Sequence, residues 1–162
     1  MIEPGLVKVL HKLCNHLNTD EVVWAVTGSL GFALHGMDVE IHDVDIQTDK
    51  SGAYEIERRF LPYVARSVEF SSSHKIRSYF GELNINGVKV EIMGDIQKRL
   101  PDGLWESPVD VCDKTCLIDC EGIIVPVISL EYECEAYYKL GRTEKANQIR
   151  TYLKQHVHGN SP

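Results

Sequence analysis

The sequence predicts an α+β fold: a mixed β-sheet flanked by helices, with a helical hairpin at the C-terminal end. Short apolar, β-branched runs alternate with segments of helical period, two turn pairs (Asn86-Gly87 and Glu121-Gly122) each lie between strand-like arms, and the chain from Ser129 onward reads as two helices parted by Gly141. The 162 residues suit one domain, 1–162. A chain of this size buries roughly 68–70% of its unfolded surface, enough for a core without a metal or disulfide staple. Hydrophobic residues at 43% and charged residues at 25% exclude a disordered or collagen-like chain.

From Leu6 to Leu17 apolar residues recur at three- and four-residue steps, the period of an amphipathic helix ending near Asn18. Val22 to Val26 is a β-branched run stopping at Thr27-Gly28-Ser29, and Leu30 to His35 is helical, so the order is strand, tight turn, helix. His42 to Thr48 alternates, with Val44, Ile46 and Thr48 on one face and Asp43, Asp45 and Gln47 on the other. Gly52 to Phe60 reads as a helix closed by Pro62, and Tyr63 to Phe70 as a strand stopped by Ser71-Ser72-Ser73. A hairpin follows, Ile76 to Ile85 and Val88 to Met93 about Asn86-Gly87. In the second hairpin, Cys116 to Asp119 and Ile123 to Ile128, Pro126 predicts an edge strand. Ser129 caps a helix from Leu130 to Leu140, Thr143 to Val157 forms the next, and His158 to Pro162 reads as a frayed tail.

Seventeen Lys and Arg against 24 Asp and Glu leave a net charge of −7, which excludes binding to DNA or to an anionic membrane through bulk charge. No apolar run approaches the roughly 20 residues of a membrane helix, and Met1 to Leu10 lacks a basic start followed by an apolar block, so a cytoplasmic protein is expected. Five cysteines without a secretion signal read as reduced thiols. Cys112, Cys116 and Cys120 are spaced to share one strand face as small buried groups, with no metal role.

The chemistry concentrates in Gly28-Ser29, Asp43-Val44-Asp45 and Glu91. A turn into a helix offers free backbone N–H groups to a phosphate, glycine lets the phosphate approach, and the serine hydroxyl adds a hydrogen bond. Carboxylates at i and i+2 of a strand lie about 6.6 Å apart on one face, where they can ligate hard divalent cations. Glu91, from the hairpin arm, would supply a third carboxylate for two metals about 3.5–4 Å apart, the arrangement that clamps attacking and leaving oxygens in phosphoryl displacement. Glu91 is preferred to Asp95 because it sits inside the strand, whereas Asp95 follows Gly94 and reads as a helix cap.

This order, with the wording TGSLGFALHG…HDVDIQTD, resembles the nucleotidyltransferase superfamily of polymerase-beta-like fold, and most of all its small prokaryotic members, the abortive-infection toxins and the lincosamide/aminoglycoside nucleotidyltransferases. The resemblance implies a catalytic core at about residues 20–95 and a C-terminal helical hairpin at about 129–157. It implies that Gly28 and Ser29 hold the β/γ-phosphates of ATP or another nucleoside triphosphate, that Asp43 and Asp45 bind two Mg²⁺ ions, and that Glu91 is the third carboxylate. The implied activity is Mg-dependent transfer of a nucleoside monophosphate, AMP foremost, to an acceptor hydroxyl with release of pyrophosphate. The acceptor is left open among a small molecule, a protein and an RNA end. The rival is a nucleotide-binding regulatory or toxin–antitoxin module on the same fold without turnover, which does not need all three carboxylates. Lys139, Arg142 and Lys145 suit either phosphate contact or a plain basic helix end, and His74, Lys75 and Arg77 either a polar ligand or a solvated strand end.

Overall fold

A computed structural model describes residues 2–159. The elements run α1 (Pro4–Leu17), β1 (Trp24–Thr27), α2 (Gly28–Leu34), β2 (Val44–Thr48), α3 (Lys50–Arg59), β3 (Val64–Ser72), β4 (Ile76–Ile85), β5 (Val88–Lys98), β6 (Thr115–Cys120), β7 (Ile123–Ile128), α4 (Leu130–Lys139) and α5 (Thr143–Gly159). The seven strands form one mixed sheet in the order β3-β4-β5-β2-β1-β7-β6. β1 with β7 and β2 with β5 are parallel, and the other neighbours are antiparallel.

Each face of the sheet is covered differently, and that difference creates the site. α1 starts with a proline in its first turn, where no N–H is missed, and buries Val9, Leu10, Leu13, Cys14 and Leu17 as a stripe. α3 starts at Asp49, whose Oδ1 accepts the Gly52 N–H at 2.6 Å, and buries Ala53 and Ile56. These two helices pack on the face carrying Val26, Val44, Ile46, Val90 and Ile92, forming the main core. Alternation turns Thr27, Asp45, Gln47 and Glu91 to the opposite face, beneath α4. A smaller apolar cluster, Phe32, Met37, Leu130 and Ile149, ties α2 to the C-terminal hairpin.

The Asn86-Gly87 turn is as expected, with φ of 52° and 83°. Several expectations are corrected. β5 continues past Met93 to Lys98, and Asp95 is no helix cap: its φ is 51°, at a register shift opposite Arg77 and Tyr79, so it is the extra residue of a β-bulge. Pro126 does not mark an edge, since β7 lies between β1 and β6; it is accommodated because the β1 ladder is confined to the Val26↔Val127 pair. Cys112 is exposed on a 3₁₀ turn (Cys112–Lys114) ahead of β6, away from the strand that carries Cys116 and Cys120. β3 runs through Ser71 and Ser72. Of the expected frayed tail, His158 and Gly159 belong to α5, and residues 160–162 lie outside the described residues. All five cysteines are free thiols.

Candidate active site

Register alone assembles the centre of the site. β1 pairs with β2 so that Thr27 lies opposite Asp45, and β2 pairs with β5 so that Asp45 lies beside Glu91. Three side chains from three strands therefore stand in a row on one face, a strand spacing of about 4.8 Å apart. Asp43 precedes β2 by one residue, and α2 leaves the end of β1 at Gly28. Gly28, Ser29, Asp43, Asp45, Glu91 and Arg142 all line one cleft of about 520 Å³. These residues singled out from the sequence thus converge, whereas Lys139, His74, Lys75 and Arg77 do not line this cleft. Lys139 lines a different cleft and pairs with Glu106 at 3.3 Å. Lys145 is on the carboxylate cleft instead. Arg142 sits 4.8 Å from the Tyr137 ring centre and Lys145 5.3 Å from that of Phe32, so aromatic faces steady both cations.

Gly28 is required by a carboxylate. Its φ is +70°, and a Cβ there would lie 2.4 Å from Asp45 Oδ2. The Ser29 hydroxyl accepts the His42 N–H at 3.1 Å, tying α2 to the segment that leads into Asp43. Burial, followed by the charge of Glu91 and a hydrogen bond shared with it, raises Asp45 to about 7. Lys89 holds Glu91 from the outer side, Nζ to Oε1 at 3.1 Å.

Beneath the carboxylates lies a polar network that the sequence reading missed. Gln47 Nε2 donates to Thr27 Oγ1 at 3.2 Å, and the Thr27 hydroxyl donates to Glu133 Oε1 at 2.7 Å. Glu133 is only 4% exposed, and burial raises it to about 7 despite the Thr27 hydroxyl and the Gly28 N–H. The signal was available: Glu133 falls on the buried stripe of α4 between Leu130 and Ala136, where a carboxyl has no place unless a partner waits. Lys98 and Glu106 were missed as well; Lys98 is 4% exposed and bonds Glu106 Oε1 at 3.0 Å and the Tyr132 hydroxyl at 2.8 Å.

The donor set suits a hard dication. Asp45 Oδ1 is buried with no hydrogen-bond partner, the condition of a ligand oxygen awaiting a cation, and the nearby groups are carboxylates. Among the described residues no three His, Cys, Asp or Glu side chains already close into a coordination shell. The charges of Glu91 and Asp43 add to burial in opposing ionisation of Asp45, a repulsion that a bound dication would relieve.

Residues 9–155 match the family model described as aminoglycoside-2''-adenylyltransferase. A crystal structure of a Thermotoga maritima protein, assigned as a nucleotidyltransferase candidate, is 55% identical, covers 96% of both chains and superposes with a TM-score of 0.84. The lincosamide antibiotic adenylyltransferase LnuA, lincomycin-bound, is 16% identical over 91% of this chain and 98% of its own, with a TM-score of 0.56. The antibiotic-resistance factor ANT(2'')-Ia is 12% identical over 98% of this chain and 96% of its own, at 0.58. At these identities the last two show a shared fold. No curated protein matches the chain by sequence. No helix among the described residues is long and apolar enough to cross a membrane.

Proposed function

The chain belongs to the aminoglycoside-2''-adenylyltransferase family, within the nucleotidyltransferases, and from that membership we propose that it transfers AMP from ATP to a hydroxyl of a small, cationic, polyhydroxylated acceptor. The observation that carries the reading is the in-register pair Asp45 and Glu91, in one cleft with Gly28-Ser29, Asp43 and Arg142. The acceptor class is supported by charge: Asp38 and Glu40 line the cleft in addition to the three carboxylates that would hold the metal, and their negative charge favours a cation among neutral hydroxyls. The names of the family and of LnuA, which are of antibiotic-modifying enzymes, point the same way.

In this reading Asp43, Asp45 and Glu91 would hold two Mg²⁺ ions, which when bound neutralise the triphosphate and activate the attacking and leaving oxygens. The Gly28-Ser29 turn and the steadied cations Arg142 and Lys145 bind the β- and γ-phosphates, leaving the α-phosphorus exposed toward the carboxylates. Glu91 orients the acceptor hydroxyl and takes its proton, and Lys89 fixes the far side of that carboxylate. The acceptor oxygen bonds to the α-phosphorus, the bond to the bridging oxygen breaks, and pyrophosphate departs. Positioning and charge do most of the work. The Gln47–Thr27–Glu133 network holds the end of β1, and so Gly28, in place from below.

The test is incubation of the protein with each α-labelled nucleoside triphosphate, magnesium and a panel of aminoglycosides, following label in the acceptor and pyrophosphate release. ATP-dependent labelling that is lost in Asp45→Asn is expected. Pyrophosphate release without a labelled acceptor would overturn the acceptor class, and an undiminished Asp45→Asn rate would overturn the site.

A further inference from the structure

A second cleft, of about 410 Å³, opens where the start of β4, the end of β5 and the end of α4 meet. Lys75, Arg99, Lys139 and His74 line it together with Leu100 and Pro101, and no carboxylate among the described residues does, in a chain whose net charge is −7. Three permanent cations around one concavity repel one another, so the arrangement needs restraints. The structure supplies them. The Arg99 N–H donates to Lys75 O at 2.9 Å, pinning the two strand ends together. Arg99 Nε donates to Gly103 O at 3.1 Å, and the guanidinium lies 5.9 Å from the Trp105 ring centre. Lys75 Nζ donates to Leu140 O at 3.3 Å, and Lys139 pairs with Glu106, which Lys98 already shares.

The C-terminal end of α4 accounts for Lys75 and Lys139 by its partial negative charge, but not for Arg99, which the bulged extension of β5 brings in. Each restraint uses one donor of a side chain that has three, for lysine, or five, for arginine, so donors remain to converge on an anion. Phosphate is the anion that such a set of cations recognises best. The volume falls within the roughly 300–1,000 Å³ of small-molecule sites and is many times that of a water, so a bare anion would leave it mostly unfilled, and Leu100 and Pro101 give one wall for an uncharged body.

We propose that this cleft binds a small phosphate monoester with a sugar-sized body, at a site distinct from the carboxylate cleft. The inference does not depend on the activity proposed above. It is tested by titrating ¹⁵N-labelled protein, without magnesium, with ribose 5-phosphate, inorganic phosphate and ribose, and following backbone amide shifts. Ribose 5-phosphate should shift the amides of Lys75, Arg99, Gly103 and Gly141 saturably, inorganic phosphate more weakly, and ribose not at all. All three cations are exposed, so Lys75→Gln with Arg99→Gln should leave the rest of the spectrum native while weakening binding about tenfold or more for each cation removed. Lys139→Gln should weaken it independently. Shifts confined to Gly28 and Ser29, or unchanged affinity in the double variant, would overturn the site. Equal affinity for inorganic phosphate would overturn the sugar-sized body.

Discussion

Replacing Glu133 by glutamine should remove most of a pH dependence from the folding stability. Glu133 is 4% exposed, and its carboxyl ionises at about 7 in the folded protein against 4.5 when free, because burial opposes the charge more than Thr27 and Gly28 favour it. A raised carboxyl means that the folded state holds the proton more tightly than the unfolded chain. The stability this confers is fully present below 4.5 and is lost as pH rises through about 7. At about 1.36 kcal/mol per pH unit, that interval corresponds to about 3 kcal/mol. Glutamine keeps an acceptor for the Thr27 hydroxyl and does not titrate; whatever it forfeits by losing the second acceptor oxygen is constant with pH. The difference in unfolding free energy between variant and wild type should therefore move toward the variant by about 3 kcal/mol from pH 4.5 to 8. Urea unfolding followed by the fluorescence of Trp24 and Trp105 measures it. Asp45, raised in the same direction, leaves the variant some residual slope of the same sign. Parallel curves for the two proteins across that range would refute the reasoning, since they would mean that folding does not raise the Glu133 carboxyl.

Three further outcomes follow from the geometry. Glu91→Gln should abolish transfer while retaining magnesium-nucleotide binding, whereas Asp95→Asn should stay within about 0.5 kcal/mol of wild type and remain active, because asparagine also adopts the left-handed backbone of the bulge; transfer rates measured side by side decide between them. Gly28→Ala should cost about 1–2 kcal/mol for the backbone conformation alone and displace Asp45, so transfer falls together with the melting temperature; a fully active variant would show that Asp45 does not need its observed position. Lys98→Met should destabilise by about 3 kcal/mol by stripping Glu106 of its buried partner, read from the urea midpoint, while Lys139→Met, on an exposed cation of the same network, should stay below about 1 kcal/mol.

Much of this protein is written in local pattern. The stripe from Val9 to Leu17, the alternation of Val44, Ile46 and Thr48 against Asp45 and Gln47, the Asn86-Gly87 turn and the break at Gly141 are properties of neighbouring residues, and each produced its element within a few positions. The carboxylates were legible for the same reason: side chains two apart on a strand share a face whatever surrounds them. What lay between distant segments was not legible. The placing of Glu91 beside Asp45 depends on β2 pairing in parallel with β5 across a connection of 39 residues, from Thr48 to Val88, that no short window contains. Pro126 suggested an edge because a proline lacks a donor, yet the strand order put β7 inside the sheet, where its other ladder is too short to need one. Asp95 after Gly94 has the composition of a helix cap, and only pairing with β4 made it a bulge that carries β5 on to Lys98 and Arg99. Lys139 and Arg142 are three residues apart, a spacing that suits a shared phosphate contact as well as a plain basic helix end; the Gly141 turn sends them into different clefts. Glu133 and Gln47 acquire their roles only when α4 closes over the sheet, since a buried polar group is defined by the partner it finds, and tertiary packing alone supplies that partner.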